Sequence, residues 1–94
     1  MPNPTRDPTL LLEDSILVSF LKLRGHNLVP VICRDDPVDP RVAWDPTNCD
    51  QSKLEFDMRD FYNDARVGIQ SFNTVFKAVK SSMYNLKRIN IQNI

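Results

Sequence analysis

Two glycines in 94 residues, Gly25 and Gly68, are too few to form the glycine-rich turn whose backbone N–H groups cradle a phosphate. Nucleotide hydrolysis through such a loop is excluded. Histidine is scarcer still. A hydrolase of the nucleophile-base type needs a histidine or an equivalent base beside its nucleophile, and the single histidine, His26, directly follows a glycine placed to stop a helix. The reading for His26 is structural: a ring packed over the helix end or bonded to its carbonyls. The two cysteines, Cys33 and Cys49, lie in neither a C-x-x-C pair nor a dense framework, which reads as two idle thiols in a reducing compartment. An oxidising one would instead tie a strand end to the following loop. With His26 they supply three soft ligands at spacings of 7 and 16 residues, which match no usual zinc finger. No metal and no cofactor is expected.

Long apolar runs are missing too, so no membrane-spanning segment is predicted. The first residues lack the basic segment, apolar run and small-residue cleavage site of an exported chain. The expectation is a soluble, cytoplasmic protein. Excess charge is absent: 12 Lys and Arg balance 12 Asp and Glu. A dedicated duplex-DNA protein is normally basic overall, because phosphate contacts supply most of its affinity.

What is present is an ordinary folding composition, 41% hydrophobic and 26% charged, in a length that supports one modest core. Residues 1–8 hold three of the seven prolines and read as an extended arm. The single domain spans residues 9–88, with an apolar tail at 89–94. Thr9 to Leu12 reads as a short strand. Asp14 is placed to cap a mostly buried helix over Ser15 to Arg24, in which Leu17, Phe20 and Leu21 share a face and Gly25 supplies the left-handed stop. Asn27 to Cys33 and Val42 to Trp44 predict a hairpin, with Pro30 marking an edge or a bulge. Ser52 and Glu55 match a capping box that opens a second helix, with Leu54, Met58 and Phe61 facing inward and Asp57, Asp60 and Asp64 outward. A link over Ala65 to Gly68 leads into a long third helix. The order β-α-β-β-α-α predicts an α+β fold, a small antiparallel sheet packed by helices.

The charges are segregated. Residues 35–64 carry nine acids against three bases, and residues 69–94 carry four bases and no acid. Asp-Pro steps at Asp36, Asp39 and Asp45 predict a rigid acidic loop over Arg34 to Arg41. Its prolines, with no glycine turn and no closing glutamate, rule against an EF-hand. Asp57, Asp60 and Asp64 on one helical face resemble half of a metal-dependent nuclease site, but no third converging carboxylate or lysine has a recognisable motif. In the last third, Phe72, Val75, Phe76, Val79, Met83 and Leu86 recur at helical spacing and predict the core-facing side. Beside it Lys77, Lys80, Tyr84, Lys87 and Arg88 form a wholly basic stripe about 100° away.

Several of these residues carry a resemblance. The succession Asp14 to Leu21, Gly25-His26-x-Leu28, Phe61-Tyr62-Asn63, Val67, Phe72 and Lys80-Ser81-x-x-Tyr84 resembles a group of small phage and bacterial proteins classed as a domain of unknown function. The likeness spans about Leu10 to Tyr84. Members show a strand, a capped helix, a Gly-His turn, a hairpin, a Tyr-Asn helix end and a final helix with Lys-x-x-x-Tyr. This chain departs at Glu13-Asp14-Ser15 and in its Asp-Pro-rich hairpin loop. The resemblance implies the fold and a phage or mobile-element source, and brings no catalytic residue with it.

Two binding functions follow as expectations for a non-enzymatic accessory protein. In the first, an acidic surface of Asp35, Asp36, Asp39, Asp57, Asp60 and Asp64, or the apolar tail Ile89, Ile91 and Ile94, meets a host or phage protein, as in modulation of host defence or machinery. In the second, Lys77, Lys80, Lys87 and Arg88 contact phosphate while Tyr84 stacks on a base. The tail also predicts self-association or insertion into a partner's groove.

Overall fold

The computed structural model describes residues 11–33 and 41–92, with side chains through residue 89. Its elements are α1 (Ser15–Leu23), β1 (Val29–Cys33), β2 (Arg41–Asp45), α2 (Gln51–Tyr62) and α3 (Ile69–Gln92). The architecture is α+β, a two-stranded antiparallel sheet with three helices. The proline arm and the Arg34 to Pro40 loop lie outside the described residues, as do Asp35, Asp36, Asp39 and Ile94.

α1 is the centre of the molecule. Five consecutive residues, Leu17 to Leu21, are buried, and burial over more than a full turn needs neighbours on several sides of the helix. α2 and α3 both pack on it, and Trp44 of β2 joins Leu17, Val18, Phe20, Leu21, Leu28, Leu54 and Val79 in one core. Complete burial of such side chains stabilises by about 1.5–3 kcal/mol each. Ser19, polar within this core, donates its hydroxyl to Ser15 O at 2.6 Å.

Both ends of α1 are set locally. Asp14 accepts from the N–H groups of Ile16 and Leu17, satisfying donors that the first turn leaves unpaired. At the other end Gly25 has φ +96°, and the Gly25 and His26 N–H groups return to Lys22 O and Leu21 O, a Schellman motif. α2 ends the same way. Asp64 sits at φ +64°, with Asp64 and Ala65 donating to Phe61 O and Asp60 O. Its start differs from the sequence expectation: the cap is Asp50, whose carboxylate accepts from Ser52 and Lys53 N–H. Ser52 is already inside the helix, because Asp50 two residues earlier supplies the acceptor for the first free N–H groups, that of Ser52 among them.

In the hairpin Val29 pairs with Asp45 and Cys33 with Arg41. The strand expected over Thr9 to Leu12 is described only at its end, where Leu12 and Trp44 exchange both backbone hydrogen bonds, at 2.9 and 2.7 Å. That exchange turns the Trp44 backbone away from β1. Pro30, opposite Trp44, therefore turns its own backbone to the outer edge, where its missing N–H removes a donor that would template another strand. Arg41 also bonds Glu13 through Nη1, at 2.8 and 2.9 Å, an exposed pair worth under about 1 kcal/mol.

α3 begins where Gly68 O accepts from Phe72 N–H at 2.9 Å and continues past Arg88 to Gln92, so the first part of the expected tail is helix. Val79 is buried, and Phe72, Val75 and Met83 pack against the core. Phe76, expected among them, is only half-buried and lies beside the core on the ring of Phe72.

Candidate functional site

Two constellations have the chemistry to act. The first sits where the α1 turn meets α2. Arg24 and His26 flank Gly25, and the Schellman turn aims both side chains at α2. Arg24 Nη1 donates to Asp57 Oδ1 at 2.7 Å and Nη2 to Asp60 Oδ2 at 2.6 Å. His26 Nε2 lies 2.7 Å from Asp57 Oδ2; since an ionised carboxylate only accepts, the imidazole N–H is the donor. The Arg24 guanidinium also lies 4.6 Å from the Phe20 ring centroid. The hydrogen bond to Asp60, helped by the charges of both aspartates and opposed by desolvation, holds Arg24 above its already high ordinary pKa.

This arrangement corrects the outward placement of Asp57. The Asp57 side chain is 3% exposed and its two oxygens are both occupied, while Asp60 is held by Arg24. Of the three acids expected to face outward, only Asp64 is exposed, just past the helix end with its backbone in the left-handed turn. His26 is buried after the helix end, and its side-chain partner is a carboxylate of another helix and not a carbonyl of its own. The residues themselves carried the signal. Asp57 stands three after Leu54 and four before Phe61, the spacing of the inward stripe, so the second helix offered its carboxylate to the core side.

Chemically the cluster is an ion-pair staple. A base that transfers protons must reach a substrate, and the His26 side chain is 3% exposed. The nearest turn carries Cys49, whose thiol donates to Asn27 O at 3.6 Å, and desolvation pushes that thiol up, away from the reactive thiolate. Both cysteines are free thiols. Among the described residues no three His, Cys, Asp or Glu side chains gather as metal ligands would.

The second constellation is the flank of α3. Lys77, Lys80, Tyr84 and Arg88 are exposed, and Lys87 is half-buried with an interaction of its own. No residue of α3 is acidic, and among the described residues no ion pair engages Lys77, Lys80 or Arg88. Tyr84 is 67% exposed. Lys80 Nζ stands 5.7 Å from the centroid of Phe76, which stacks on Phe72. Sequence spacing found the five polar residues of this flank and missed that Phe76 belongs to it. Ile69, Tyr84 and Ile89 are the exposed large apolar side chains of α3; Ile91 falls in its last turn, where no side chain is described.

Among the described residues no helix is long and apolar enough to cross a membrane. No protein-family model matches the chain, and neither a curated protein nor a solved structure matches it.

Proposed function

We propose that the protein is a non-enzymatic binding module and that its working surface is the basic flank of α3, which takes a nucleic acid. The observation that carries this reading is the unequal fate of the two charge groups. Asp57 and Asp60, two of the six acids expected to meet a partner, are held by Arg24 and His26. The basic residues Lys77, Lys80 and Arg88 stay exposed on a helix without an acid. Polyanion contact requires uncompensated cations facing water, and the flank of α3 supplies them. The overall neutrality of the chain then limits affinity and makes the contact local.

A protein partner is the second reading, favoured by the exposure of Ile69 and Ile89 on the same helix. The resemblance to small phage and bacterial proteins supports an accessory role in the cytoplasm of a bacterial host under either reading. The test is elution from heparin in a salt gradient. Wild type is expected to be retained, and Lys77→Glu/Lys80→Glu to flow through with an unchanged thermal midpoint. Equal retention of the two proteins, or none by wild type, removes the nucleic-acid reading and leaves capture of a host protein as the test of the second.

A further inference from the structure

We infer that the nucleic acid is single-stranded and lies with its bases apart on a ridge of rings and cations. This rests on the nucleic-acid reading of the flank and specifies its ligand. Phe72, Phe76, Lys80, Tyr84 and Arg88 follow at intervals of four residues. Each step rises about 6 Å along the helix and turns about 40° around it. The ridge therefore starts in the core and winds out of it. Phe72 packs on the core cluster. Phe76 stacks on Phe72, with centroids 6.0 Å apart and planes 14° from parallel. Lys80 lies over Phe76, and beyond it Tyr84 and Arg88 stand in solvent.

Spacing selects the form of the ligand. Phe76 and Tyr84 are about 12 Å apart along the axis, against about 3.4 Å between successive nucleotides of one strand in duplex DNA. Two bases cannot lie on both rings and stay stacked in a helix. An open strand can present them, because every base has a π face and a ring accepts any of them. Lys80 stands between the rings. Its ammonium rests on Phe76, a contact that a phosphate replaces with a stronger charge pair, uncovering the ring as the strand arrives. Lys77 and Arg88 lie before and after it for neighbouring phosphates, and no acid of α3 repels them.

The experiment is fluorescence anisotropy with a labelled oligothymidine of about 12 nucleotides, within the site sizes of known single-strand grooves, and with a hairpin duplex of matching length. Wild type, Tyr84→Phe, Tyr84→Ala and Lys77→Glu/Lys80→Glu are compared. Oligothymidine is expected to bind more tightly than the duplex and Tyr84→Phe to match wild type. Tyr84→Ala is expected to lose at least about fivefold in affinity, as removal of one stacked base does. With about three phosphates neutralised, affinity should fall roughly 20-fold from 50 to 200 mM salt. Equal binding of duplex and single strand, or full affinity in Tyr84→Ala while the lysine reversal abolishes binding, overturns the single-strand inference and leaves the nucleic-acid reading standing. Failure of wild type to bind either DNA at low salt overturns both, and assigns the flank to a protein partner.

Discussion

At the scale of single residues, Asp57 decides how the acidic helix is used. Its carboxylate is buried and bonded to both Arg24 and His26, so removing it strands the buried His26 N–H and takes from Arg24 one of its two carboxylate partners. Breaking a buried pair from one side costs about 3–5 kcal/mol, and the partial exposure of Arg24 brings the expected value to the lower end. Asp57→Ala should therefore lose about 3 kcal/mol in urea unfolding and Asp60→Ala, whose side chain is 39% exposed, well under half of that. Equal losses would show that the staple is not centred on Asp57. Asp64 makes a prediction of opposite sign. A non-glycine residue at φ +64° carries left-handed strain that glycine lacks, so Asp64→Gly should raise stability by up to about 1 kcal/mol, read from the same unfolding curves. A lower midpoint would mean that the aspartate side chain contributes more to the turn than its backbone costs.

At the scale of elements, α1 and α3 divide the work between core and surface. Leu21 is fully buried on α1, and Leu21→Ala should cost about 2–5 kcal/mol. Phe76→Ala should cost less than half as much, because its ring is only partly buried and lies beside the core cluster, not in it; a loss as large as that of Leu21→Ala would place Phe76 in the core after all. The helices, the hairpin and most stop signals were legible in the sequence because their causes are local: a carboxylate at Asp14, a glycine at Gly25, apolar spacing in α1 and α3, a proline at the edge position Pro30. Three features were not. Asp50 took the cap expected of Ser52 because an ionised acceptor stood two residues earlier. Phe76 left the core because a four-residue step overshoots a full turn by about 40°, so a ridge that begins inward at Phe72 ends outward at Tyr84. Asp57 turned inward because Arg24 and His26, more than thirty residues away in the chain, neutralise it; a pairing of that separation has no periodic trace, although the position of Asp57 on the apolar stripe was on view.

At the scale of the whole molecule, the uneven charge of the chain takes on a different meaning once the core is assembled. Residues 35–64 are the acidic part of the sequence, yet Asp45 and Asp50 turn or cap the backbone, and Asp57 and Asp60 hold α1 to α2. Much of the negative charge is structural. Among the described residues Lys77, Lys80 and Arg88 of α3 take part in no ion pair. The apolar end of the same helix makes a separate claim on association. Ile89 is 52% exposed, and deletion of residues 90–94 with measurement of molar mass by light scattering distinguishes its roles. A smaller mass in the truncated chain assigns the end to self-association, and the same mass with the same nucleic-acid affinity makes it a helix terminus only.

The central claim, that α3 presents the binding surface and the Arg24–Asp57–His26 cluster is internal, is tested most directly by amide chemical-shift mapping of isotope-labelled protein titrated with oligothymidine at low salt. The account predicts that the shifts concentrate along Phe76 to Arg88 of α3, with the amides of Arg24, His26 and Asp57 unmoved. Perturbations centred on Arg24, His26 and Asp57, or no perturbation at saturating oligothymidine, would contradict it.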